Sequence, residues 1–196
     1  MMTRTLIMTT LLASACGDPG GGESPNEVIS RIDLTFTPSA GPSLTFQYND
    51  EDGDGGAPGM SQPITLVGGT TYALTVSFLN ALEVTPEDIT QEVRDEAVQH
   101  QVFFTGSAVV GPATMNTVGP LTHSYADTDD NGLPIGLTST ITTRAGTGEL
   151  VITLRHMPPE EPPQKAADSA MQVSTGGFAA IGGSTDAQVT FPVTVP

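Results

Sequence analysis

Residues 71–78 place Tyr72, Leu74, Val76 and Phe78 at every second position, with Thr71, Ala73, Thr75 and Ser77 between them. A side-chain period of two belongs to an extended strand with one buried and one solvated face; a helix would need apolar residues three and four apart. This is the longest clean alternation in the chain and predicts a central strand. The same period recurs in Ile32-x-Leu34-x-Phe36 and Leu44-x-Phe46-x-Tyr48, and the intervening Pro38-Ser39-Ala40-Gly41-Pro42 turns the chain back as a hairpin. It returns at Ile64-x-Leu66 and in Val189-x-Phe191-x-Val193-x-Val195, and residues 102–105, 121–126, 137–143 and 149–155 are further strand candidates. About nine strands follow.

One stretch departs from that period. Thr85-Pro86-Glu87-Asp88 combines an N-cap threonine, a proline at the first helical position and acids in the first turn, and Ile89, Val93 and Ala97 then recur at spacing four. The pattern predicts one short amphipathic helix over 86–98, with Glu87, Asp88, Glu92, Asp95 and Glu96 turned to solvent. The proline-rich residues 158–170 read as a long exposed loop, and Gly176-Gly177 and Gly182-Gly183 as turns. With 22 glycines, 16 prolines and no tryptophan, the composition suits short strands joined by turns. A parallel α/β design would need repeated helical crossovers, and a single helix does not supply them. The expected fold is all-β: an immunoglobulin-like antiparallel β-sandwich with one short helix, a small barrel being the alternative.

The N-terminal segment has a different logic. Arg4 precedes the apolar run Thr5-Leu6-Ile7-Met8-Thr9-Thr10-Leu11-Leu12, and the small residues Ala13-Ser14-Ala15 lead to Cys16. The run is a secretory signal pattern of about eight residues, against about 20 for a membrane span. The segment resembles a bacterial lipobox, departing from it at Ala13, where leucine is usual. That resemblance implies that Cys16 becomes the mature N-terminus and carries a covalent lipid anchor. Gly17 after the cysteine implies sorting to the outer membrane, with the body on the periplasmic or the exposed face. Residues 17–27 hold no apolar side chain beyond proline, so they form a flexible tether. The expected organisation is a signal peptide over 1–15, the lipidated cysteine and tether over 16–27, and the β domain over 28–196. Cys16 is the sole cysteine, so no disulfide can form within the body, and packed side chains or bound ions must hold it.

With 22 acidic and 6 basic side chains the formal charge is −16, which excludes an electrostatic nucleic-acid binder and disfavours adhesion of the domain to anionic headgroups. Two acidic loops share one arrangement: Asp50-x-Asp52-x-Asp54-Gly55 and Asp127-x-Asp129-x-Asn131-Gly132. Oxygen donors at alternate positions ahead of a glycine form the first half of a calcium loop. The bidentate glutamate that ends such loops is missing, Ser61 and Thr138 standing there instead, so ordinary Asx-turns are the competing explanation. His100 opens one predicted strand, His156 closes another and His123 lies inside a third. Two that met across a sheet beside a carboxylate would form a zinc or copper site, or the axial pair of a haem; isolated strand-end histidines are the simpler alternative. Neither the Gly-x-Ser-x-Gly elbow nor the phosphate-binding Gly-x-x-x-x-Gly-Lys loop occurs, and Lys165 is the one lysine, so no catalytic residue is assigned and no enzyme is expected.

Several phrases together carry a family resemblance: the loop 50–56, Gly68-Gly69-Thr70-Thr71-Tyr72, Glu87-Asp88-Ile89-Thr90, His100-Gln101-Val102-Phe103-Phe104, and residues 127–136 and 148–156. The chain resembles uncharacterised secreted lipoproteins of Bacteroidota and other Gram-negative bacteria, a family with no activity to transfer. The function expected is that of a non-catalytic, lipid-anchored envelope protein, a binding or assembly module that meets an envelope partner. The alternative is a metal or small-ligand scavenger associated with outer-membrane uptake, with His100, His156 and the Asp127 loop converging on one site.

Overall fold

The computed structural model describes residues 28–53, 56–160 and 162–196; Cys16 and Asp54 lie outside the described residues. The alternating segments become strands. In β1 (Arg31–Pro38) Ile32, Leu34 and Phe36 are fully buried, and β2 (Leu44–Asn49) returns beside it with Phe46 opposite Leu34. Two short strands, β3 (Met60–Ser61) and β4 (Ile64–Thr65), precede β5 (Thr71–Asn80), which buries Tyr72, Leu74, Val76 and Phe78. The chain continues through β6 (Glu87–Asp88), α1 (Ile89–Asp95), β7 (His100–Thr105), β8 (Val109–Val110), β9 (Leu121–Tyr125), β10 (Thr138–Thr143) and β11 (Gly146–His156). It ends with α2 (Ser169–Gly176), a 3-10 turn at Phe178–Ala180 and β12 (Ser184–Val195).

The result is all-β and sandwich-like, with two sheets. One runs β3-β2-β1-β5-β10-β9-β8 with β6 added to β5; the other runs β4-β12-β11-β7. As the alternation predicts, β5 is central, paired with β1 on one side and β10 on the other. Most pairs are antiparallel, but β4–β12 and β8–β9 are parallel, which hairpin-length spacing alone does not foretell. One core joins the sheets: Ile32, Leu74 and Phe78 from the first pack with Leu150, Ile152 and Phe191 from the second. Each such side chain contributes about 1.5–3 kcal/mol on burial, and this packing substitutes for the disulfides the chain lacks.

Three sequence expectations change. First, α1 starts later than Pro86, because Glu87 and Asp88 pair with Asn80 and Leu79 of β5. Asp88, not Thr85, caps the helix by accepting from the Thr90 backbone N–H, and the Thr90 hydroxyl in turn donates to the Phe78 carbonyl. Second, residues 158–170 are not simply an exposed loop: Ala170 and Val173 of a second helix join Phe103, Met157 and Ile181 in a separate apolar cluster. That cluster covers the outer face of β7 and β11. With both faces covered, five of the six residues of β7 are buried and its alternation disappears. Third, Lys165 in this segment is buried, its Nζ donating to Asp129 Oδ2 at 2.8 Å and to the Ala97 carbonyl at 2.8 Å.

The β11–β12 ladder contains one irregularity. Arg155 pairs with Thr185 and Leu154 with Ala187, so Asp186 is an extra residue without an opposite number. Such a bulge re-aims the side chain it carries.

Candidate metal centre

His100 begins β7, His156 ends β11, and the antiparallel register sets them directly opposite each other. Residues opposite across a ladder share a face, so both imidazoles project to one side at the end of the second sheet. The rings are stacked, with centroids 4.7 Å apart and planes 11° from parallel. Glu96 comes from the C-terminal cap of α1, four residues before His100. One donor atom from each of Glu96, His100 and His156 lies within 4.8 Å of the others. Among the described residues this is the group of histidine and carboxylate side chains close enough to share one ion.

The hydrogen bonds fix which ring nitrogen keeps a lone pair, but with planes 11° from parallel one of the stacked rings must turn before both lone pairs meet at one ion. His100 Nδ1 lies 3.2 Å from the Glu96 carbonyl oxygen, which can only accept, so Nδ1 carries the proton and Nε2 holds a lone pair. His156 Nε2 is 3.4 Å from Gln99 Oε1, leaving Nδ1 of that ring free. His100 is 7% exposed, and burial pushes its pKa down to about 4, so the ring is neutral at physiological pH. A neutral imidazole is the ligand form, and no proton has to be displaced to bind an ion. Asp186 faces the pair, with Oδ2 3.8 Å from His100 Nε2. Burial pushes its carboxyl up to about 6.

The expected meeting of two histidines across a sheet is thus present; Glu96 joins it and Asp186 stands beside His100, neither of them singled out by a motif. Glu96 reads as one of several acids on a solvated helix face, and Asp186 carries no motif. Spacing gave one available clue: Glu96 and His100 are four residues apart, the separation that stacks side chains on one side of a helical turn. His123 does not join the group. It is buried between Phe104, stacked at 4.1 Å, and the edge of Tyr125, with Nε2 3.1 Å from the Ser139 hydroxyl.

The second acidic loop approaches without contributing a ligand. Asp127 accepts from the backbone N–H groups of Gly136 and Thr138, and Asp129 Oδ1 accepts from those of Asn131 and Leu133. Burial works against the Asp129 charge, but Lys165 and these N–H donors outweigh it and hold the carboxyl below its ordinary value. The Lys165 ammonium pairs with Asp129, and Asn131 donates its backbone N–H to the same carboxylate. In the first loop the Asp50 carboxylate accepts from the Tyr48 hydroxyl at 3.3 Å and the Asp52 N–H at 3.4 Å, and Asp52 accepts from Ala57 N–H at 3.3 Å. These are Asx-turn contacts of an exposed loop. No helix of the described residues is long and apolar enough to cross a membrane. No protein-family model, curated protein or solved structure matches this chain.

Proposed function

We propose that this chain is a non-catalytic, lipid-anchored cell-envelope protein that captures a divalent transition-metal ion of the zinc class. The observation that carries the reading is the convergence of Glu96, His100 and His156, with one donor from each inside 4.8 Å of the others. Imidazole and carboxylate together favour zinc or copper over calcium, which takes oxygen donors alone. A formal charge of −16 draws cations toward the surface and quickens capture. The lipobox-like sequence at Cys16, followed by the polar stretch 17–27, supports an anchor and tether that hold the body at the outer membrane. Capture beside an uptake system is the scavenging role that fits this placement.

The full chain, exported and purified in detergent, is expected to retain about one zinc per molecule after dialysis. His100→Ala and His156→Ala should each lose it. Elemental analysis that finds no zinc in the unaltered chain, or full occupancy in the double variant, removes the reading. Labelling with a radioactive fatty acid, absent in Cys16→Ser, tests the anchor separately.

A second reading, an assembly module that meets an envelope protein, draws support from large apolar side chains left in solvent on loops: Val84, Met115 and Val118 are each more than 70% exposed. Pull-down of one envelope protein by the unaltered body, lost on Val84→Asp or Met115→Asp, would favour it.

A further inference from the structure

The β12 bulge changes which residues face the histidines. Counting back from the core, Val195, Val193, Phe191, Val189 and Ala187 alternate inward, and an unbroken strand would next turn Thr185 to that side. The extra residue reverses this. Thr185 instead meets Arg155, whose Nη1 donates to its hydroxyl at 2.7 Å, and Asp186 falls on the histidine side. Its side chain is 20% exposed as a whole, yet Oδ2 is buried and has no hydrogen-bond partner. The atom it faces, His100 Nε2 at 3.8 Å, is the lone-pair nitrogen of a ring whose proton is held by the Glu96 carbonyl. Two electron-pair donors therefore confront each other with no donor hydrogen between them. A buried oxygen in that position is costly unless something positive satisfies it; the Arg155 charge offsets part of that cost, but its hydrogen bonds go to Thr185, Gly182 and Gly183 and not to Oδ2.

We infer that Asp186 is the fourth ligand of the metal centre, completing a shell of two imidazoles and two carboxylates. The inference rests on the reading of Glu96, His100 and His156 as ligands. Two donors on a tetrahedral zinc with bonds of about 2.0–2.1 Å lie about 3.3 Å apart, so Oδ2 and Nε2, 3.8 Å apart, need to close by about 0.5 Å, while Asp186 lies outside the 4.8 Å group of Glu96, His100 and His156 and all four side chains must draw in around the ion. The fourth ligand decides the chemistry. Catalytic zinc sites keep three protein ligands and a water that becomes the nucleophile; a shell filled by protein leaves no place for that water and holds the ion instead. Asp186 also lies just beyond the excursion over 157–183, which leaves the sheet after His156. An ion bound by both residues would tie the two ends of that excursion together.

Cobalt(II) added to the full chain in detergent tests this through its visible spectrum. The unaltered protein should give the intense bands of a four-coordinate tetrahedral ion, and excess azide should leave them unchanged. Asp186→Asn keeps the side-chain shape and should bind cobalt at least about tenfold more weakly, with a spectrum that now shifts on adding azide, because solvent enters the vacated position. An azide-sensitive spectrum in the unaltered chain overturns Asp186 as a ligand. So does an Asp186→Asn protein with unaltered affinity and spectrum. In either case loss of cobalt in His100→Ala would leave the three-ligand centre standing. An unaltered chain that takes up no cobalt overturns both. The azide response of the unaltered chain needs no variant and decides the matter even where Asp186→Asn fails to fold.

Discussion

At the scale of single residues, the buried polar groups carry the most information. His123 is 3% exposed and its Nδ1 has no partner, and burial alone pushes its pKa down to about 4. The unfolded chain binds a proton there near pH 6.5, whereas the folded chain refuses it until about pH 4. Between those values the unfolded state holds more protons, so the contribution is present above pH 6.5 and lost as pH falls. The loss approaches about 3 kcal/mol by pH 4. Urea unfolding of His123→Gln should show a shallower decline of stability from pH 7 to pH 4 than the unaltered protein, and identical slopes would remove His123 from the account. Lys165 and Asp129 make the complementary point. Sequence places Asp129 in a calcium-like loop and Lys165 in a proline-rich stretch 36 residues away, and nothing local says that each is the other's counter-ion. Their side chains are 1% and 0% exposed, so the pair is a product of tertiary burial, where neither charge is tolerated alone.

At the scale of elements, amphipathic pattern worked wherever one face of an element meets solvent. β1, β5 and β12 show an alternation in burial, and all nine expected strand segments are present. It failed where both faces are covered. β7 reads His-Gln-Val-Phe-Phe-Thr, which has no period, because Val102 and Phe104 face the sandwich core while Phe103 meets Val173 and Phe178 of the excursion. α2 was hidden for a related reason: Ala170 and Val173 bury, but Met171 stays 59% exposed, so the helix shows little of the apolar stripe that periodicity detects. Phe103 is therefore the anchor of the excursion. Phe103→Ala should cost about 3–5 kcal/mol by cavity formation. Amide exchange over 157–183 should quicken more than in β1 or β5; uniform acceleration throughout the molecule would contradict that assignment.

At the scale of the whole molecule, the proposed ion draws its ligands from the end of α1, β7, β11 and β12, so binding it is coupled to the fold. At a zinc concentration about 100 times Kd, linkage adds about 2.7 kcal/mol to stability. For a domain of this size that corresponds to a rise of about 5–10 °C in Tm. Thermal unfolding with and without zinc checks it, and His156→Ala should abolish the rise; equal shifts in both proteins would place the ion elsewhere. The primary sequence was sufficient for the all-β class, the strands and the two histidines at strand ends, because period two and turn residues are local properties that any single-face-buried strand must display. Glu96 and Asp186 became visible only in three dimensions. A helix cap brings Glu96 to His100 locally, whereas the ladder register that adds His156 and the extra residue that adds Asp186 depend on contacts between segments far apart along the chain.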